Sequence, residues 1–291
     1  MNPAPHLSRF VRSARLHFMR LPATFLLFAT TTFAAAEPAL QDGEALTFRV
    51  GWGLFYHAGE IKIAAENAHV ASAPPLLRVT TTTETKGLAR ALYKFEGSAE
   101  AMLDAASGRL LTNRENTKQP NKETSSAVTF DYARSTADYV SATNPEKNAT
   151  IPVPSGDPLD LIMSLVQTRL WDLKPGEQRD ALVLFDNEFY DLTIHAERYE
   201  EVSTPLGTFN TLVLEPRMEK SPPKGMFKRG SAVRVWISQD AQRLPVKFQV
   251  EFKFGAGVAT LIHYQPPSTT RAPEGQSAVA KSEPDAKNPR S

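Results

Sequence analysis

The chain has 291 residues, no cysteine, 22 prolines and nearly balanced charge, with 33 basic and 32 acidic residues. Lack of cysteine excludes a disulfide framework, a thiol nucleophile and a lipid-modified N-terminal cysteine. No basic face or stripe of the kind that marks nucleic-acid binders stands out, so no nucleic-acid partner is expected.

Residues 1–36 read as a leader. Arg9, Arg12, Arg15 and Arg20 precede an apolar run from Leu21 to Phe33, no acid occurs, and Ala34-Ala35-Ala36 offers a cleavage site. That pattern predicts a secretory signal peptide cut near Ala36 and a periplasmic mature chain starting at Glu37. The apolar run falls short of the roughly 20 residues a spanning helix needs, and no later run reaches that length. Hence no transmembrane anchor is expected after processing, and loss of four arginines leaves the mature part slightly acidic.

Strands follow in quick succession. Glu44 to Val50 alternates apolar and polar residues, Phe55 to Ala65 continues past Gly51-Trp52-Gly53, and Gly59 is expected to bend or bulge it. Leu76 to Thr85, Leu92 to Leu103, Leu110 to Asn116, Ser125 to Tyr132 and Thr136 to Ala142 complete a first meander with short polar turns. Asn144 to Gly156 is a proline-containing approach to a helix from Asp157 to Trp171. Asp157 is its expected cap and Pro158 its first residue. Leu159, Ile162, Met163, Val166 and Leu170 form one apolar stripe, and Lys174-Pro175-Gly176 ends it.

Strands resume at Asp180 to Phe185, Tyr190 to Ala196 and Phe209 to Leu214, then Ala232 to Ser238, Pro245 to Phe254 and Val258 to Tyr264. In the second last, Val246, Phe248, Val250, Phe252 and Phe254 alternate with Lys247, Gln249, Glu251 and Lys253, which predicts one core-facing side. Residues 265–291 are rich in Pro, Ser, Lys and Glu without aromatics and read as a disordered tail. Residues 37–264 thus form a single mainly β domain: a large curved antiparallel sheet, as a half-barrel or a two-sheet wrap, around one amphipathic helix.

Several motifs carry a resemblance. They are Gly43-Glu44-Ala45-Leu46-Thr47-Phe48-Arg49-Val50-Gly51-Trp52-Gly53 with Gly59, Asp157-Pro158-Leu159, Leu173-Lys174-Pro175-Gly176-Glu177 and Pro205-Leu206-Gly207-Thr208-Phe209. The last is Val235-Trp236-Ile237-Ser238-Gln239-Asp240-Ala241-Gln242-Arg243-Leu244-Pro245-Val246. In order and spacing, from Asp42 to Tyr264, the chain resembles the bacterial envelope family catalogued as domain of unknown function 3108. That family commonly has Ser where this chain has Asp160, a departure that argues against hydroxyl chemistry there. The resemblance implies a periplasmic β-rich domain, similar in layout to the half-barrel folds of lipoprotein carriers, and implies no known activity.

Chemistry-bearing patterns are few. His57, His69, His195 and His263 sit on separate strands or turns without metal-ligand spacing, and neither a nucleophile elbow nor a phosphate-cradling loop occurs. No metal, cofactor or catalytic residue is expected. Asp186-Asn187-Glu188 with Asp191 gathers carboxylates at one hairpin, a pattern suited either to glycoside acid–base work or simply to a turn. Trp52, Phe55, Tyr56 and Trp236 suit the mouth of an apolar pocket or plain core. Lys220, Lys224, Lys228 and Arg229 flank Met226 and Phe227 in one loop, a mixture suited to touching anionic lipid or to a solvated hairpin. The expectation is a non-enzymatic periplasmic protein holding a lipid or other amphiphile. Its alternatives are a scaffold acting through an envelope protein partner and, last, a carbohydrate-active enzyme.

Overall fold

A computed structural model describes residues 38–68, 74–224, 227, 232–252 and 255–268. The expected leader, His69, the tail beyond Ser268, and Met226, Lys228 and Arg229 lie outside the described residues. No helix among the described residues is long and apolar enough to cross a membrane.

Among the described residues fifteen strands form one curved sheet that does not close. In chain order they are β1 (Ala45–Trp52), β2 (Phe55–Ala68), β3 (Leu76–Thr85), β4 (Glu96–Asp104), β5 (Leu110–Gln119), β6 (Lys122–Asp131), β7 (Thr136–Ser141) and β8 (Ala149–Pro152). There follow β9 (Leu159–Asp160), β10 (Gln178–Phe185), β11 (Glu188–Thr204), β12 (Gly207–Arg217), β13 (Ala232–Ser238), β14 (Pro245–Phe252) and β15 (Gly255–Gln265). β1 pairs with β15, so the two meanders join side by side where the chain starts and ends its sheet. The short β8 and β9 are left as the two edges. Only β9 and β10 run parallel. So many twisted strands curl rather than lie flat, and the half-barrel alternative describes the result better than two packed sheets.

Side chains cross the gap where strands do not pair. Tyr139 on β7 donates to Asp186 at the β10–β11 turn at 2.5 Å, Lys147 reaches the same carboxylate at 3.1 Å, and Arg109 binds Asp157 at 2.6 Å. Phe130 packs near Phe189 with ring centres 6.4 Å apart.

The expected helix is shorter and differently capped. α2 spans Leu161–Gln167, and a 3₁₀ turn carries on over Thr168–Leu170. Its cap is Asp160, whose Oδ1 accepts from the Met163 N–H at 2.9 Å. Asp157 is engaged by Arg109 instead. Asp and Ser are both good capping residues, because each offers one oxygen to the second or third N–H. Of the stripe, Leu159, Met163 and Val166 are buried, Ile162 is partly buried, and Leu170 is exposed. A 3₁₀ turn has three residues per turn rather than 3.6, so the stripe slips there, and Arg169 and Trp171 turn inward. The helix is wedged between two clusters, with Met163 and Val166 in one and Leu161 and Leu165 packed on the other.

Further elements were not expected, among them β9, which takes Leu159 and Asp160 from the expected helix. β8 pairs with β7 inside the proline-containing approach. A second helix, α1 (Gly87–Leu92), occupies the start of the strand expected from Leu92, and β4 begins only at Glu96. It buries none of its residues. A helix without a core stripe has no periodic signal to betray it.

The interior tapers. Lateral neighbours facing the core run Ala65, Ile63, Ile61, Gly59 on β2, then Val79, Thr81, Thr83, Thr85 on β3. On β4 they run Leu103, Ala101, Ala99, Gly97. Side chains shrink towards the α1 end, so packing that is dense around α2 gives way to space.

Candidate apolar cleft

That space is a cleft of about 440 Å³ between the β1–β2 hairpin, the ends of β2 and β3, and α1. Trp52, Phe55, Leu92, Tyr93 and Phe95 line it, with Ala58, Gly59 and Ala89 as its small floor residues. Its volume lies within the range of small-molecule sites.

Local sequence explains each wall. The register of β1 against β2 slips between Val50 and Trp52, which splays the hairpin tip. The Trp52 ring lies over Gly257, where an added Cβ would come within 3.0 Å of it, and the Phe95 ring lies over Gly97 at 3.2 Å. Both rings occupy room that only glycine leaves. Gly59 is required for a different reason: a Cβ there would meet the Glu84 carbonyl oxygen at 2.7 Å, so β2 and β3 approach too closely for a side chain. It pairs regularly with Thr85 on β3, while on the β1 side the expected bulge begins right beside it, between the Val50–Gly59 and Trp52–Phe55 pairs. α1 is fastened by the Lys86 N–H donating to the Ala58 carbonyl at 2.8 Å and the Phe95 N–H donating to the Thr85 hydroxyl at 3.0 Å. Arg90 binds Glu96 at 2.5 Å.

A second groove of about 260 Å³ shares Thr83 and Phe95 with the cleft and runs inward to the start of α2. Glu115 and Asp160 lie along it. Burial lifts the Asp160 carboxyl to about 6, helped by the charge of Glu115 and opposed by the N–H of Met163. Burial raises Glu115 as well, against a hydrogen bond from Asn113. Among the described residues no ion pair engages either carboxylate.

The opposite end of β1 is sealed. Glu44 is buried and its carboxylate meets the Arg169 guanidinium at 2.6 Å. Arg169 also donates to the carbonyls of Ala39 at 3.2 Å and Gln242 at 2.7 Å. Tyr264 and the Gln41 N–H complete the Glu44 shell at 3.2 and 3.1 Å. Arg243 donates to the carbonyls of Arg169 and Trp171 at 2.8 and 2.6 Å. One cluster therefore ties the first strand, the helix end, the β13–β14 hairpin and the last strand together. At the flank of α2 facing β10 and β13 only about 20 Å³ is left unfilled.

The residues singled out by sequence divide unevenly. Trp52 and Phe55 line the cleft. Tyr56 points to the other side of the hairpin, where the Arg49 guanidinium lies 3.9 Å from its ring centre. Trp236 is 2% exposed within the main core, under Lys247 at 4.0 Å, and does not line the cleft. Lys220 is held between Asp180 and Asp191 at 2.8 and 3.1 Å, and Lys224 pairs with Glu188. Phe227 packs back against Tyr190, ring centres 6.2 Å apart. So of the expected lipid-docking loop, the described cations are neutralised by the acidic hairpin itself, and the described aromatic faces the core. The hairpin carboxylates do not converge: Asp186 turns to Tyr139 and Lys147, Glu188 to Lys224, Asp191 to Lys220. Asp186 takes the left-handed turn position, φ 56°. His57, His195 and His263 lie on β2, β11 and β15, and among the described residues no group of His, Asp and Glu is placed to hold a metal. Sequence reasoning missed Leu92, Tyr93, Phe95 and α1, although the taper into Gly59 and Gly97 was there to be read.

The comparisons match this picture. A family model described as protein of unknown function (DUF3108) matches residues 47–262. No curated protein sequence matches the chain. A solved beta-barrel-like protein of domain of unknown function DUF1849 from Brucella abortus aligns with TM-score 0.51 at 6% identity, covering 79% of this chain and 99% of that one. A protein with a YmcC-like fold from Bacteroides fragilis aligns with TM-score 0.36 at 12% identity, covering 80% and 99%. At such identities the first likeness concerns the fold alone, and the second adds nothing to it.

Proposed function

The chain belongs to the DUF3108 family of unknown function, and from that premise we propose that it is a non-enzymatic periplasmic protein that holds the apolar part of an amphiphile in the cleft beside α1. The observation that carries this reading is the cleft itself: aromatic and aliphatic walls around 440 Å³ beside α1. A second groove that carries Glu115 and Asp160 among apolar walls shares Thr83 and Phe95 with it, so an apolar tail in the cleft would leave a polar head within reach of those carboxylates. The basic leader with its Ala-Ala-Ala motif supports export.

The test is occupancy. Protein purified from the periplasm, analysed by native mass spectrometry and solvent extraction, is expected to carry a small amphiphile and to start at Glu37. In vitro, the apolar dye N-phenyl-1-naphthylamine should bind and brighten. Ala89→Trp, which adds a ring to the cleft from α1, should abolish that binding without loss of thermal stability. A wild-type chain that ignores the dye and emerges empty refutes the reading and favours the scaffold alternative.

A further inference from the structure

We propose that the α1 end of the molecule is a docking surface for an anionic lipid bilayer. This goes beyond ligand holding, and it stands on surface features that do not depend on what fills the cleft. Among the described residues eleven large hydrophobic side chains are exposed, and five of them are Trp52, Leu54, Leu88, Leu92 and Tyr93. They come from two short segments, the β1–β2 hairpin and α1 with the residue that follows it, which meet across the cleft. Leu54 is 102% exposed, and Leu88 and Leu92 are 74% and 75% exposed. Leucines at such exposure, two of them on a helix that buries none of its residues, leave most of their surface uncovered by the described residues, and a patch of this kind marks a surface made to be covered.

Charge selects the occupant. Lys86, Arg90 and Lys94 lie on and beside α1, against Glu84 and Glu96. Glu60 is matched by Lys62 at 3.1 Å. Arg90 and Lys94 share one carboxylate, Glu96, so the α1 side of the patch keeps an excess of positive charge. Leucine and aromatic side chains ringed by Lys and Arg form the composition that settles into an anionic headgroup layer, with rings at the interface and cations on phosphates. A second copy of the chain would bring the same cation excess to the same patch, and a two-fold contact sets like charges against each other. The cleft opens between the two exposed segments, so a bilayer docked here lies against its mouth.

Co-sedimentation with vesicles of phosphatidylglycerol and phosphatidylethanolamine tests the proposal. The wild-type chain is expected to pellet with them at low salt, and to do so less with phosphatidylcholine vesicles or at high salt. Leu88→Asp with Leu92→Asp should lower partitioning by about tenfold or more, while Leu206→Asp, on an exposed turn elsewhere, should not change it. Leu54→Asp at the hairpin tip is the second variant, and it leaves α1 intact should the double change disturb the helix. Wild-type protein that stays in the supernatant with anionic vesicles at low salt overturns the proposal. So does equal pelleting of all variants, or a dimer in sedimentation velocity that Leu88→Asp with Leu92→Asp dissolves, which would make the patch a self-interface. Dye binding without vesicles reports on the cleft separately: a chain that pellets but takes no dye keeps the docking surface and loses the ligand reading.

Discussion

The two ends of β1 lie roughly 25 Å apart, and they treat an unclosed sheet in opposite ways. At Glu44 the interior is plugged by α2, and a buried carboxylate is met by a buried guanidinium that also satisfies two backbone carbonyls. At Trp52 the inward side chains dwindle to glycine, the second helix lies outside, and leucines face solvent. Between the two, Asp160 and Glu115 are buried or half-buried carboxylates that no ion pair engages among the described residues.

The sharpest way to break the contrast is to unseal the packed end. Arg169→Met leaves Glu44 buried without its cation, and we expect a loss of about 3–5 kcal/mol in urea unfolding, a large part of a typical stability of about 5–15 kcal/mol. Adding Glu44→Gln should restore much of it, since the uncompensated charge goes. If the single variant melts with wild type, the cluster is not what holds this end.

The unpaired carboxylate gives a smaller effect, and it depends on pH. Burial lifts Asp160 from 3.8 to about 6, so between those values the folded chain binds a proton that the unfolded chain has released. Stability therefore falls as pH rises through that window and levels off above it. Asp160→Asn keeps a capping oxygen and cannot ionise. It is expected to match wild type below about pH 4 and to exceed it above about pH 6 by on the order of 2–3 kcal/mol. Urea melts of the pair across pH check this, and a constant difference would show that the cap rather than the charge is altered.

The smallest effect belongs to the open end. Leu88→Asp and Leu92→Asp are expected to change stability by no more than about 0.5 kcal/mol each, because exposed side chains give up no packing. A clear loss of thermal stability in either would mean that α1 is part of the core after all.

Much of the sheet was legible in residue order. Two-residue alternation marks β1, β3 and β14 because one face of each strand meets the core, and Pro205-Leu206-Gly207 marks a turn because Gly207 takes φ 128°. The helix was legible in place but not in detail. Apolar spacing located Leu159 to Val166, yet the cap fell on Asp160 and the stripe broke at Leu170, because Glu44, 125 residues away in sequence, draws Arg169 inward. Trp236 and Phe55 look alike as aromatics on strands, and only pairing and register make one core and the other cleft wall. The loop of Lys220 and Lys224 read as a free basic patch until folding set it against Asp180, Glu188 and Asp191.

Alternation and turn chemistry are local, so the chain by itself determined that it folds as a mainly β meander with one amphipathic helix, and its motifs identified the family. Tertiary structure alone decided that the sheet stays open between β8 and β9, that Lys220 and Lys224 are neutralised, and that space collects beside α1. Those outcomes depend on which residues become neighbours across the sheet, and side-chain volume and charge are balanced between strands rather than along them.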